Sequence, residues 1–243
     1  VLAETEEQKM AILDNLFRET CISDIVKRNK IRNVGELEAL LDILSSAIGA
    51  LTNPNKLQKT FKSVNRSKIT ATTITKYIEY LEDAFLIEEA VRFDIKGKSY
   101  IGTPLKYYFM DLGLRNARIN YRQIEITHSM ENVIYNALRM RGFSVDVGNL
   151  TIVENGKDGK AVKKQLEVDF ICNKGSKKYY IQSAYQLGTE EKLAQEIRPF
   201  LKIKDCFKKI VITSDTPKPC YTDEGILMMN VYDFLLNPEL IDL

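Results

Sequence analysis

The repeat of apolar residues changes near Leu86 from a helical to a strand-like pattern. Before that position, apolar side chains recur every three or four residues, as in the stripe over residues 37–51. This spacing predicts helices that pack one face on a core. After it, the β-rich residues 86–95 and 99–110 flank a turn at Gly97, which predicts a hairpin. The first half of the chain is therefore expected to be helical up to this hairpin.

The order of these elements divides the amino-terminal half into two expected parts. Residues 1–33 have helical apolar spacing and are expected to be a lead-in, a linker from a preceding module. Residues 34–122 place three helices before the hairpin, which is the order of a winged helix-turn-helix. Residues 111–126 are expected to be a connector to the next part.

A basic stretch coincides with the predicted helix-turn-helix. The chain has 35 Lys and Arg against 33 Asp and Glu, a formal net charge of +2, yet residues 53–76 contain no acidic residue. Contacts from basic side chains and hydroxyls to phosphate supply most non-specific affinity for DNA. A solvated face, or a winged helix that binds protein, is the alternative. The residues expected to contact nucleic acid are Lys56, Lys59, Lys62, Arg66, Lys68, Thr72, Thr73, Lys76 and, at the hairpin tip, Lys96 and Lys98.

Residues 123–243 show a different alternation of elements. A helix over residues 129–141 precedes three strand-like segments, a second helix that starts near Thr189, and a further strand. The order αβββαβ predicts an α/β domain of roughly a hundred residues. The predicted fold class is therefore α+β with two domains. The second domain resembles the restriction-endonuclease-like fold.

That resemblance implies a set of candidate site residues. Nucleases of this fold hold Mg²⁺ with carboxylates from the first helix and a hairpin strand, and an acidic-x-Lys triplet on the next strand helps to activate water. Glu131 on the helix and Asp169 on the strand are the candidate catalytic and metal-binding residues. Gln182 and Ala184 occupy the acidic and lysine positions of the triplet, which predicts a degenerate site with Gln182 as its third member. Two lysines at neighbouring positions could substitute, Lys164 and Lys178.

Other classes of function are excluded by the same sequence. The one histidine, His128, cannot build a multi-histidine metal site, and no cysteine pair has C-x-x-C spacing. No apolar run reaches the ~18 residues of a membrane span, and the first residues are not a signal peptide. Four dispersed cysteines are typical of reduced thiols in the cytoplasm. We therefore expect a cytoplasmic protein with no membrane partner, able to form a homo-oligomer.

Seven short stretches, in order along nearly the whole chain, carry a resemblance to a known family. They read ETCISDIV at 19–26, LTNPNK at 51–56, IEYLEDAFLI at 78–87, YYFMDLG at 107–113, MEN at 130–132, EVDF at 167–170 and YIQSA at 180–184. As a set they resemble the carboxyl-terminal region of a prokaryotic AAA-type ATPase. The resemblance implies an ATPase module before this region, and the absence of an initiator Met at Val1 agrees with a fragment. Because no G-x-x-x-x-G-K-[ST] motif is present, ATP binding is implied only for the parent protein.

Three functions follow as hypotheses from these features. The first is a non-catalytic region that binds DNA or a protein partner. The second is a Mg²⁺-dependent nuclease built on Glu131 and Asp169. The third is a structural or oligomerisation role that relays motion of the ATPase module. Two structural features discriminate among these hypotheses. They are whether the basic helices are exposed and whether the candidate site residues lie close together.

Overall fold

The protein is described by a computed structural model that covers residues 3–65, 67–122, 124–155 and 160–243, without the side chains of Thr20, Val64 and Asn65. Helices and strands both contribute to the fold, which is therefore mixed α and β. The chain divides into two compact units. The first unit comprises Val1–Glu89 and Pro104–Glu125, and the second comprises Ala90–Thr103 and Ile126–Leu243.

The first unit is mainly helical, with its core formed by the apolar stripes that the sequence predicts. Leu37, Leu40 and Leu41 of one helix and Ile74 and Leu81 of another are fully buried. The described helices are α1 (Glu6–Asn15), a π-helical turn (Leu16–Ile22), α2 (Ser23–Asn29), α3 (Val34–Ser46), α4 (Pro54–Thr60), a second π-helical turn (Phe61–Asn65) and α5 (Ala71–Asp83).

Local capping chemistry fixes where these helices begin. The Asn33 side chain accepts the Glu36 N–H at the start of α3, and Asn53 accepts the Lys56 N–H before Pro54. The Thr70 hydroxyl accepts the Thr73 N–H at the start of α5. Side-chain oxygens at this position satisfy backbone donors that have no partner within the helix. Single side chains thus account for where three helices of the first unit begin.

Residues 111–126, expected to be a connector, contain a helix that the sequence did not predict. Helix α6 (Leu112–Arg118) begins where Asp111 accepts the Leu114 N–H at 2.8 Å. Arg115 is 1% exposed, and its Nε donates to the Ser45 carbonyl at 2.8 Å. Arg118 holds both carboxylate oxygens of Asp42, at 2.7 and 3.1 Å. Buried and paired arginines anchor this short helix to α3, which sequence periodicity alone does not indicate.

The hairpin predicted after α5 is present and is shared by the two units. Its strands are β1 (Ile87–Asp94) and β2 (Ser99–Phe109). Residues 90–103 belong to the second unit, where Arg92 to Asp94 pair in parallel with Val147 to Asn149. The Asp94 side chain accepts the Lys96 and Gly97 N–H groups at the turn, at 3.0 and 3.1 Å. The tip predicted as a wing is therefore part of the second unit's sheet.

The second unit contains the predicted order of helix, three strands, helix and strand. Its elements are α7 (Ile126–Met140), β3 (Ser144–Asn155), β4 (Ala161–Lys174), β5 (Lys177–Ala184), α8 (Glu190–Leu201), β6 (Lys208–Thr213), β7 (Cys220–Tyr221), β8 (Leu227–Asn230), α9 (Val231–Leu236) and a 3-10 turn (Pro238–Asp242). Strands β3, β4 and β5 are antiparallel, while β5, β6 and β8 are parallel. In the described residues, the sheet has the order β2-β1-β3-β4-β5-β6-β8-β7.

A bulge interrupts the β3–β4 pairing next to the candidate site. Gly148 pairs with Val168 and Asp146 pairs with Ile171, so β4 has one extra residue in this interval. A side chain at Gly148 would place its Cβ 2.8 Å from the Val168 Cβ, so the close approach of the strands requires glycine. Because side-chain alternation is broken here, a simple two-residue repeat does not give the face of the sheet on which Asp169 lies.

Among the helices of the described ranges, none combines the length and the apolar composition that crossing a bilayer requires.

Candidate functional site

Asp169 and Gln182 face each other across the β4–β5 pair, as the sequence predicts for members of one site. The neighbouring residues Phe170 and Ile181 are register partners. One Asp169 carboxylate oxygen accepts the backbone N–H of Ser183 at 2.8 Å. The side-chain oxygen of Gln182 accepts the backbone N–H of Asp169 at 3.4 Å. Both side chains are more than nine-tenths buried. Their polar atoms are thus used to tie the two strands together.

Glu196 of α8 joins this pair and was missed by the sequence analysis. The Gln182 amide donates to the Glu196 carboxylate at 3.3 Å. Burial raises the pKa of Glu196, against a smaller lowering by the Gln182 hydrogen bond and the charge of Lys192. Glu196 belongs to no motif, and only the packing of α8 on the sheet brings it to Gln182. The site therefore has a second carboxylate, from a different element than expected.

Glu131 does not complete a metal cluster with these residues. It lies on α7, and its side chain is 6% exposed. In the chain as far as the structure describes it, no three Asp, Glu, His or Cys side chains are grouped as a metal ion would require. Mg²⁺ takes six oxygen ligands in near-octahedral geometry and usually keeps several waters. Asp169 and Glu196, bridged by the neutral amide of Gln182, are the residues that could offer carboxylate oxygens to such an ion.

Neither Ala184 nor Lys178 supplies an ammonium group at the lysine position of the acidic-x-Lys triplet. Ala184 is 3% exposed and belongs to the hydrophobic cluster that includes Ile197 and Phe200 of α8. Lys178 lies four residues before Gln182 on the same strand, about 13 Å away at 3.3 Å per residue. Its ammonium group sits over three aromatic rings at 5.0–5.9 Å, those of Phe93, Tyr180 and Phe207.

The lysines of the basic stretch project into solvent from the first unit. Lys56, Lys59 and Lys62 follow one another along α4 and the turn after it, and each is exposed. The Lys56 ammonium donates to the Leu51 carbonyl at 3.1 Å, which leaves its charge unneutralised. Further exposed members of the predicted set are Lys68, Thr72 and Lys76, with Thr73 half-buried at the start of α5. Arg66 lies outside the described residues.

The two predicted tip residues are placed in the second unit. The Lys96 ammonium donates to the Thr151 carbonyl at 3.0 Å. Lys96 and Lys98 line a cavity together with residues 201–205, the last residue of α8 and the loop that follows it. Because 103 residues separate Lys98 from residue 201, no local pattern indicates this grouping.

Comparison with known proteins gives a family but no activity. Residues 1–125 match the family described as "Domain of unknown function (DUF8612)". An uncharacterized protein of Haemophilus influenzae is 34% identical over 236 residues, which cover 97% of this chain and 54% of that protein. Uncharacterized protein MJ1544 of Methanocaldococcus jannaschii is 30% identical over 238 residues, 96% of this chain and 48% of that protein. The chain thus spans about half the length of these curated relatives.

One solved structure is also similar in part. The crystal structure of protein VC1899 from Vibrio cholerae aligns over 95% of this chain and 56% of that chain, at 13% sequence identity and a TM-score of 0.29.

Proposed function

The chain belongs to the DUF8612 family, and we propose that it is a nucleic-acid-binding region of a larger AAA-type ATPase, with a nuclease-like domain that does not cleave. In this proposal the helices of the first unit act as a helix-turn-helix, and the second unit has a restriction-endonuclease-like fold. The ATPase module, and its ATP, belong to the remainder of the parent protein. The relatives, about twice as long as this chain, leave room for such a module.

The observation that carries the proposal is the exposure of the lysines of the basic stretch. Residues 53–76 contain no acidic side chain, and Lys59, Lys62 and Lys76 are all exposed. Within the parts of the chain that the structure describes, none of these three forms an ion pair. Exposed and unneutralised ammonium groups on adjacent helices are suited to phosphate oxygens of a duplex.

The absence of cleavage is proposed because the polar groups at the nuclease-like site are occupied. Asp169 accepts the Ser183 N–H, and Gln182 donates to Glu196. Ala184 lies in the hydrophobic cluster where a lysine would have to place its charge. A metal ion would have to break hydrogen bonds that join β4, β5 and α8, and no lysine would then activate the attacking water.

Charge reversal on the basic helices tests the binding proposal. We expect the double variant Lys59→Glu, Lys62→Glu to bind duplex DNA roughly tenfold or more weakly than the unaltered chain at low salt, since two phosphate contacts become repulsive. Fluorescence anisotropy with a labelled duplex measures this. The matched control is Lys27→Glu, Lys30→Glu, two exposed lysines outside the stretch. If both double variants weakened duplex binding equally, the effect would come from net charge alone, and the proposed binding surface would be rejected.

Metal-dependent cleavage is the second candidate, favoured by the Glu196 carboxylate beside Gln182. Incubation with branched, single-stranded and duplex DNA in Mg²⁺ or Mn²⁺ tests it, and we expect the DNA to stay intact. Cleavage that is lost in Asp169→Ala and Glu196→Gln would establish the nuclease instead.

A further inference from the structure

A cavity of about 520 Å³ lies on the second unit, apart from Asp169 and Gln182. This volume falls within the ~300–1,000 Å³ typical of small-molecule sites. One wall comes from the β1–β2 turn, another from the loop after α8, and Leu150 of β3 lies between them. Four aliphatic side chains and four lysines line it, with one acid: Ile95, Leu150, Leu201 and Ile203; Lys96, Lys98, Lys202 and Lys204; and Asp205.

The lysine charges around this cavity are poorly neutralised. Four lysines against one aspartate leave +4 − 1 = +3 among the lining residues. Asp205 is already engaged, because one carboxylate oxygen accepts the Tyr180 hydroxyl at 2.6 Å and the other accepts the Phe207 N–H at 3.2 Å. Across the residues that the structure covers, Lys98, Lys202 and Lys204 form no ion pair. Like charges held around a concave wall create a positive potential that favours an anion.

The neighbouring basic residues add to this potential. Glu154 forms an ion pair with Arg198 of α8. The hydrogen bond from Arg198, and the charges of Arg198, Lys164 and Lys202, hold the pKa of Glu154 below its usual range. This carboxylate is therefore engaged mainly by Arg198, and of the four cavity lysines only Lys202 is among the charges that act on it. The surface around the loop after α8 is basic as a whole.

We propose that this cavity binds a nucleoside phosphate. Ile95 and Leu201, the accessible aliphatic side chains of the lining, offer a surface for the flat face of a base, and the lysine ammonium groups offer donors for the phosphate oxygens. An inorganic anion alone would leave the aliphatic surface unused. The nucleotide can come free from solution or from the end of a nucleic-acid strand. Lys96 and Lys98 were predicted as nucleic-acid contacts at the hairpin tip, but the lining of the site includes no residue of the basic stretch 53–76 that carries the proposed duplex contact.

Isothermal titration calorimetry with adenosine monophosphate tests the site. We expect adenosine monophosphate to bind more tightly than adenosine, which lacks the phosphate, and than inorganic phosphate, which lacks the base. The double variant Lys98→Glu, Lys204→Glu should bind it about tenfold or more weakly, since each lost charge-assisted hydrogen bond has an effect of this order. The matched control Lys218→Glu, an exposed lysine of the same unit that is not part of the cavity lining, should bind it unchanged.

Three further readings complete the test. Affinity for adenosine monophosphate no greater than for inorganic phosphate would overturn the proposal, and so would a double variant that binds as well as the control. A short 5′-phosphorylated single strand that binds more tightly than the mononucleotide would assign the site to strand ends, and the reverse would assign it to free nucleotide. Because Lys59→Glu, Lys62→Glu should leave mononucleotide binding intact, loss of duplex binding and loss of this site are distinguishable. Circular dichroism melting confirms that each variant is folded.

Discussion

At the scale of single residues, Ala184 shows why the sheet of the second unit does not accommodate a lysine at this position. It stands at the lysine position of the expected triplet, but it is 3% exposed within a hydrophobic cluster. An ammonium group there would be transferred from water into an apolar environment and would overfill a packed core. The side chain at this position therefore serves packing and offers no group to a metal or a water.

We predict that Ala184→Lys does not restore cleavage and destabilises the fold. The free energy of unfolding should fall by about 2–4 kcal/mol, from overpacking and burial of a charge. Urea denaturation followed by circular dichroism measures it. Ala194→Lys, at an exposed position of α8, is the matched control and should change stability by less than about 0.5 kcal/mol. A stable and cleaving Ala184→Lys variant would contradict the account of this site.

Glu82 at the end of α5 gives the first unit a pH dependence. Burial, then the charge of Glu89, raises the pKa of Glu82 from its ordinary 4.5 to about 7, against a lowering by the Glu89 N–H, which it accepts at 3.0 Å. Between these two pH values the native state binds more protons at Glu82 than the unfolded state does. Linkage then requires that stability falls as pH rises through this window.

Glu82→Gln should remove this pH dependence, because the glutamine side-chain oxygen can still accept the Glu89 N–H but carries no titrating charge. We expect the variant to lose less stability than the unaltered chain between pH 5 and pH 7.5, measured as the midpoint of urea unfolding. Glu79→Gln, at an exposed position of the same helix, should follow the unaltered chain. Parallel pH profiles for all three proteins would show that Glu82 titrates normally.

At the scale of secondary-structure elements, the long helices could be predicted and the short helix α6 could not. Helices α3, α5 and α7 each have 13 to 15 residues with apolar side chains at helical spacing. Helix α6 has 7 residues, and the residue with the largest buried side chain in it is Arg115. From sequence alone, an arginine is expected on the surface. The contact of α6 with the core of the first unit therefore could not be predicted before the fold was known.

We predict that Arg115→Met destabilises the first unit. The methionine keeps much of the aliphatic volume, but the hydrogen bonds to the Ser45 carbonyl and the Asn116 side chain are lost. The free energy of unfolding should fall by about 2–3 kcal/mol, as for buried hydrogen bonds to a charged group. The exposed Arg122→Met serves as control in the same thermal and urea unfolding experiments. No difference between the two variants would show that α6 does not depend on Arg115.

The strands of the second unit illustrate a second limit of prediction. Their order along the chain follows from alternation and turn residues, which are local. The bulge decides on which face of the sheet the Asp169 side chain lies, and it depends on the close approach of β3 to β4 at Gly148. The hydrogen-bond partner of the Gln182 side chain, Glu196, comes from α8. Residues that meet only through packing leave no signal in their own neighbourhood, and for this reason Glu196 was not predicted.

At the scale of the whole molecule, the chain distributes its basic residues over both units. The sequence located those of residues 53–76, because they are contiguous and free of acids. It could not locate the lysine cavity, whose two walls lie about a hundred residues apart in sequence. The balanced net charge of +2 is thus an average over basic surfaces in each unit and acidic segments such as the end of α5.

The salt dependence of duplex binding tests the central claim most directly. If the exposed lysines of residues 53–76 contact phosphates, the logarithm of the association constant of the unaltered chain should fall linearly with the logarithm of salt concentration, with a slope of about −3.6 to −4.5 for four to five contacts. Fluorescence anisotropy from 50 to 200 mM salt measures this slope. A chain that fails to bind duplex DNA at 50 mM salt, or whose affinity is the same at both ends of the range, would contradict the claim.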